Sequence, residues 1–279
     1  MSNALTAFCA DNLETIEELV ARFGDYVTAV GGVSSAHIRR WLSQFKQQHW
    51  PLALKFAGLI KYYSQATIGG AMPELKKLLD QQPPIHDADP DEVFFVPLGR
   101  VAESGPNVVS LYRNVNHLHG RQQQFVDLTD LPHSLYACAK PAVVFFDDFI
   151  GTGKQVSDYW RDILSQLVPD YHPLYLGTVA AFKKGIDRVE SETPIKVVTV
   201  NCLGPELQLM ATGSGRLSTG ERKTLRRYCE DWENQPHGYG ELAAMVSFCQ
   251  GTPNNAPSIV RGSERQKPQR GLLPGWGDL

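Results

Sequence analysis

The sequence predicts an α/β protein, with a helical subdomain over residues 1–84 and a parallel-sheet domain over 85–279. Three observations lead there. Apolar residues recur at helical spacing through the first eighty positions. The stretch 81–92, rich in proline and acids, then breaks the pattern as a linker. Beyond it, apolar runs of strand length flank an amphipathic stretch, and strand, tight loop, helix and strand in succession form a βαβ unit.

The elements follow in order. Asp11-x-x-Glu14 has capping-box form and opens a series at Leu13, Ile16, Leu19 and Val20. Ser34 or Ser35 caps a second helix bearing Ile38, Trp41, Leu42 and Phe45. Pro51 suits the first turn of a third, striped by Leu52, Phe56, Leu59, Ile60 and Tyr63, and a short fourth follows Pro73. Strands are expected at 93–97, 107–112, 142–147, 173–182 and 195–200. Val156, Trp160, Ile163, Leu164 and Leu167 mark the crossover helix, and Ser218-x-x-Glu221 starts a late helix over 219–233.

Composition narrows the function classes. A hydrophobic fraction of 42% supports a packed core, and a net charge of −3 gives no global attraction to nucleic acid or membrane. The apolar runs are too short to span a bilayer, and Met1–Leu5 lacks signal-peptide character. Cys9, Cys138, Cys202, Cys229 and Cys249 are scattered, without a Cys-x-x-Cys pair, which favours a reducing cytoplasm over a disulfide framework or zinc site.

The chemistry concentrates in Val143–Gln155. An apolar run delivers Asp147 and Asp148 to the carboxyl end of a strand, where open α/β sheets bind ligands. Gly151, Thr152 and Gly153 then lead into a helix whose first N–H groups favour phosphate. Adjacent carboxylates accept hydrogen bonds from vicinal hydroxyls, so the segment suits a ribose 5-phosphate. A P-loop is excluded, because Asp148 stands where its first glycine belongs and Gln155 replaces its Ser/Thr. No Gly-x-Gly-x-x-Gly fingerprint is present either.

Val143-Val144-Phe145-Phe146-Asp147-Asp148-Phe149-Ile150-Gly151-Thr152-Gly153 resembles the 5-phosphoribosyl-1-pyrophosphate (PRPP) motif of type I phosphoribosyltransferases. The resemblance implies a phosphoribosyltransferase-type core. In it, Asp147 and Asp148 hold the ribose hydroxyls and Gly151, Thr152, Gly153, Lys154 and Gln155 cradle the 5′-phosphate. It also implies Mg²⁺, brought with a pyrophosphate-containing ligand and held at Asp147 and Asp148. Arg100, after Pro97-Leu98-Gly99, occupies the place of a pyrophosphate-binding residue, with Glu103-Ser104-Gly105 shaping that loop; a solvated surface arginine is the alternative. Lys183 or Lys184 occupies the place of a basic residue that balances leaving-group charge, again against simple solvation.

Trp41-Leu42-Ser43-Gln44-Phe45, Tyr62-Tyr63-Ser64 and Thr252-Pro253-Asn254-Asn255-Ala256-Pro257 are similar to segments of phosphoribosyltransferase-like proteins of bacterial conflict systems, including effectors beside retron reverse transcriptases. That likeness implies glycosyl transfer or nucleotide hydrolysis in antiphage defence, with a retron reverse transcriptase, a DNA-binding partner or nucleic acid as partners. A non-catalytic sensing or assembly module on the same fold stays open. Base recognition has candidates in Asn254, Asn255 and Trp276. His117-x-His119 is a weak metal motif, and Arg222, Lys223, Arg226 and Arg227 offer one helix a basic face.

Overall fold

The computed structural model describes residues 3–26, 32–86, 92–99, 104–169, 172–212, 215–232, 235–262 and 270–274. Its strands among these are β1 Lys61–Tyr63, β2 Val93–Pro97, β3 Ala142–Ile150, β4 Leu174–Phe182, β5 Ile195–Leu203 and β6 Val246–Phe248. β2-β3-β4-β5 form one parallel sheet in that order, and β1 and β6 pair in parallel as a second. The expected α/β class with a parallel core is the fold observed. No helix among the described residues is long and apolar enough to cross a membrane.

By contact the chain divides into two compact units, Thr67–Leu203 and a composite of Met1–Ala66 with Gly204–Leu279. This division does not follow the expected 84/85 boundary. The helix Gln65–Asp80 runs through Pro73 instead of starting after it, and its Leu79 reaches within contact range of Gly177 in β4. Residues 87–91 of the expected linker lie outside the described residues.

In the sheet unit, strand side chains alternate between two covered faces. On one face Val143 and Phe145 of β3 join Leu174 and Leu176 of β4, packed against Val156, Trp160 and Leu164. The crossover helix spans 154–167 and passes through a π-turn at Trp160–Leu164, both of whose terminal side chains are buried. On the other face Phe146 meets Tyr112 and Phe95, with ring centroids 4.7 and 6.0 Å away. Gly177 makes room for that ring, since a Cβ there would lie 3.2 Å from Phe146 Cε1.

One expected strand is a helix. Residues 107–112 lie within the helix Ser104–Val115, which buries Gly105, Val108, Val109 and Tyr112. That spacing is a helical stripe, and packing onto β2 and β3 overrides the β propensity of the valines.

The composite unit explains three other expectations. Helices Asn3–Asp11 and Leu13–Arg22 break at Asn12, which makes no side-chain cap, so Asp11 ends one helix instead of boxing the next. Ser34 does cap Ser35–Leu42, accepting from His37 N, and Pro51 sits in the first turn of Trp50–Leu59. The third helical stripe stops early: Ile60 caps the helix and Tyr63 belongs to β1.

The Ser218/Glu221 capping box is reciprocal. Ser218 N donates to Glu221 Oε2 at 2.6 Å and Glu221 N donates to Ser218 Oγ at 3.2 Å, opening the helix Thr219–Trp232. Ser218→Ala is expected to cost about 1 kcal/mol, read as a lower denaturant midpoint at unchanged slope. The basic face predicted for this helix is smaller than its sequence suggests. Arg222 is buried and donates to Leu217 O (2.9 Å) and Leu209 O (3.4 Å), while Arg226 pairs with Glu230 at 2.7 Å.

Candidate functional site

The sheet topology places the carboxyl ends of β3 and β4 side by side. Register pairs Asp147 with Thr178 and Ile150 with Ala181, so the helix Lys183–Glu192 begins beside the loop 151–153. The loop and Lys183 therefore lie at the carboxyl end of the sheet, where parallel sheets bind ligands, with Asp147 and Asp148 two to three residues inside the end of β3.

The acidic pair is held in place. Ser104 Oγ donates to Asp147 Oδ1, and the same oxygen accepts from Asp148 N at 2.9 Å. Asp147 is buried, whereas Asp148 keeps part of its surface open. Burial, then repulsion from Asp148, pushes the Asp147 carboxyl well above the ordinary carboxylate range, and the bond from Ser104 opposes this. Asp148 is also raised, chiefly by burial. Two neighbouring acids that resist ionisation accept hydroxyl donors or a cation readily, since either relieves the strain of charging them.

Gly153 has φ of +75°, and Thr152 Oγ1 accepts from Lys154 N at 3.4 Å, turning the chain into the helix. The glycines also serve a second purpose. A Cβ on Gly153 would lie 2.5 Å from Gly185 O, and one on Gly185 would lie 2.4 Å from Gly151 O. Loop and helix thus meet backbone to backbone, and Arg188 Nη1 adds a 3.4 Å bond to Thr152 O. Gly185 follows the lysine pair directly, which was the available signal.

Lys154 and Gln155 are exposed in the first turn, with Lys154 ion-paired to Asp158. Lys183 is exposed and paired with Asp187, a contact that raises its pKa and leaves its ammonium charged. Arg100 and Glu103 lie outside the described residues, as does Trp276. Ser104, expected only to shape a loop, instead contacts the acid pair. Asn255 is buried in the composite unit, where its amide donates to Tyr239 O at 2.8 Å. Phe45 of the Trp41–Phe45 segment packs on Tyr228 and Trp232 in that unit. His117 and His119 belong to no group of three or more metal-binding side chains among the described residues.

The model of the PRTase-CE family matches residues 38–275. The chain belongs to the PRTase-CE family. It is accordingly a phosphoribosyltransferase-like protein, and a ribose phosphate is the ligand class its family suggests. A comparison with curated proteins found no match. The PRTase-CE match spans the acid pair, the loop, Lys183 and the three shorter segments noted above, and it leaves out the first two helices.

Proposed function

We propose that this PRTase-CE protein binds PRPP or a ribose 5-phosphate nucleotide at Asp147, Asp148 and the loop Gly151–Gln155, and acts on C1 of the ribose. The observation that carries this reading is the adjacent acid pair, pinned by Ser104 in the last residues of β3, which ends at Ile150 and passes through the loop 151–153 into the helix that begins at Lys154. Asp147 and Asp148 accept the 2′- and 3′-hydroxyls. The first-turn N–H groups, which lack intrahelical acceptors, and the Thr152 hydroxyl hold the 5′-phosphate.

Departure of pyrophosphate or a base from C1 leaves positive charge on the sugar, so catalysis here is positioning and charge balance, without a covalent nucleophile. Lys183, freed from an exposed and therefore weak ion pair, and Arg100 balance the leaving group. Two carboxylates that are costly to ionise fit Mg²⁺, which binds through one or two carboxylates together with substrate phosphates. Bound there, Mg²⁺ would neutralise charge on the pyrophosphate.

The resemblance to conflict-system proteins supports a role as an effector in bacterial, retron-type antiphage defence, in the cytoplasm. A reverse transcriptase, a DNA-binding partner or nucleic acid is the partner class. A second reading, a ligand sensor without turnover, is favoured by the engagement of Lys183 by Asp187.

Calorimetry with PRPP is expected to give saturable binding that strengthens with Mg²⁺. No heat and no thermal shift at millimolar ligand would overturn the proposal. Release of pyrophosphate or free base in the presence of nucleotide acceptors separates the enzyme from the sensor.

A further inference from the structure

A cavity of about 210 Å³ lies within the sheet unit, at the outer edge of β2 and away from the β3–β4 side of the sheet. Its volume corresponds to roughly seven waters, small for a drug-sized ligand and suited to a single ring system. Phe95, Phe125, Pro97 and Pro106 give it flat apolar walls. Phe95 and Phe125 are fixed against each other, ring centroids 5.0 Å apart, and the backbone bond from Val126 N to Phe95 O (3.2 Å) ties the covering segment to the strand.

Ser110, Arg113 and Asp127 are the polar residues of the lining. The Arg113 guanidinium lies 5.8 Å from the Phe125 ring centroid, and its Nε is buried without a hydrogen-bond partner. A buried charged donor left unpaired is costly, and such a group calls for an acceptor. Asp127 offsets the charge of Arg113, so the lining as a whole does not select a free anion. It selects a neutral planar ring that presents an acceptor to Arg113 and a donor to Asp127. That is the chemistry of a nucleobase.

We propose that this cavity is a second ligand site, distinct from the acid pair, that takes the base of a nucleoside. It has a direct mechanical link to that pair. The helix that supplies Pro106, Val109, Ser110 and Arg113 begins at Ser104, whose hydroxyl holds Asp147. The start of this helix cannot slide freely, because a Cβ on Gly105 would lie 2.0 Å from Leu98 O and 2.9 Å from Phe146 O.

The test is titration of the full chain with guanosine, adenosine, cytidine and uridine, with benzoate as a planar anion. One nucleoside is expected to bind saturably and benzoate not to bind. Arg113→Ala should weaken that nucleoside by about tenfold or more, the scale of losing a hydrogen bond to a charged group. Ser110→Trp, which fills the cavity from an exposed position, should abolish it. Asp148→Asn should leave it unchanged, which separates this site from the ribose-phosphate site; PRPP titrated into the same proteins reports the latter independently. Absence of binding by all four nucleosides overturns the proposal. So does binding that is insensitive to Arg113→Ala and Ser110→Trp, or binding that is lost in Asp148→Asn.

Discussion

Asp148→Asn is expected to stabilise the protein and to remove its affinity for a ribose phosphate. Ionising the pair works against burial at both acids and against repulsion from Asp148 at Asp147. Each unit by which a folded pKa is raised corresponds to about 1.4 kcal/mol. Asparagine removes one charge and one source of the penalty on Asp147, while Asp147 keeps its bonds from Ser104 and from the backbone of residue 148. A gain of about 1 kcal/mol, or about 2–4 °C in thermal midpoint, is the expected size.

The sign follows from linkage. The folded carboxyls bind protons more tightly than the unfolded ones near 3.8, so their contribution to stability falls as pH rises through the window between 3.8 and the raised folded value. Above that window the penalty is constant, and below 3.8 it vanishes. The difference in stability between variant and wild type should therefore grow across that window and then level off. A variant less stable than wild type at pH 7 would show that the pair is not strained. Ribose-phosphate affinity, measured by calorimetry, should drop by more than about tenfold, because a ligand hydroxyl loses a charged acceptor.

Gly185→Val carries the second large effect. A Cβ there would meet Gly151 O at 2.4 Å and Ile150 Cγ2 at 2.9 Å, and both neighbours are fixed by the sheet and the loop. Overpacking of this kind costs about 1–3 kcal/mol and more where backbone must move. The expected fall in midpoint is about 6–12 °C if the cost reaches 3 kcal/mol. A surviving folded fraction should bind ribose phosphate poorly, since the loop that turns into the helix Lys154–Tyr159 is displaced. Gly69→Val in the helix Gln65–Asp80 is the control, because nothing lies within 4 Å of a Cβ at that position. An equal loss of ligand affinity in both variants would remove the assigned role of the Gly185 contact.

The acid pair and its loop were legible because their signal is local. An apolar run, two acids and two glycines within thirteen residues signal strand, turn and helix in that order, and they follow in that order, although the strand expected over 142–147 runs on through both acids to Ile150. The helix Ser104–Val115 was misread because Val108, Val109 and Tyr112 favour strands by composition. The burial spacing of 105, 108, 109 and 112, with Pro106 near the start, was nevertheless in the sequence. Ser104 as a partner of Asp147 was not legible, since forty-three positions separate them and only the register of β2 on β3 brings them together. The close approach of Gly153 to Gly185 has the same cause, for it depends on how β4 returns beside β3.

The pairing of β1 with β6 has a consequence for how the chain is made. The two strands lie far apart in the sequence, so the composite unit cannot close until residues 246–248 have left the ribosome. The sheet unit is continuous in sequence, and its four strands add in order along the sheet. It is free to acquire its structure during translation, as contiguous domains generally do. During that interval the partners of Lys61–Tyr63 are missing and a short strand edge stands open, so a nascent chain arrested before residue 246 is the species most prone to capture by a chaperone or by another copy.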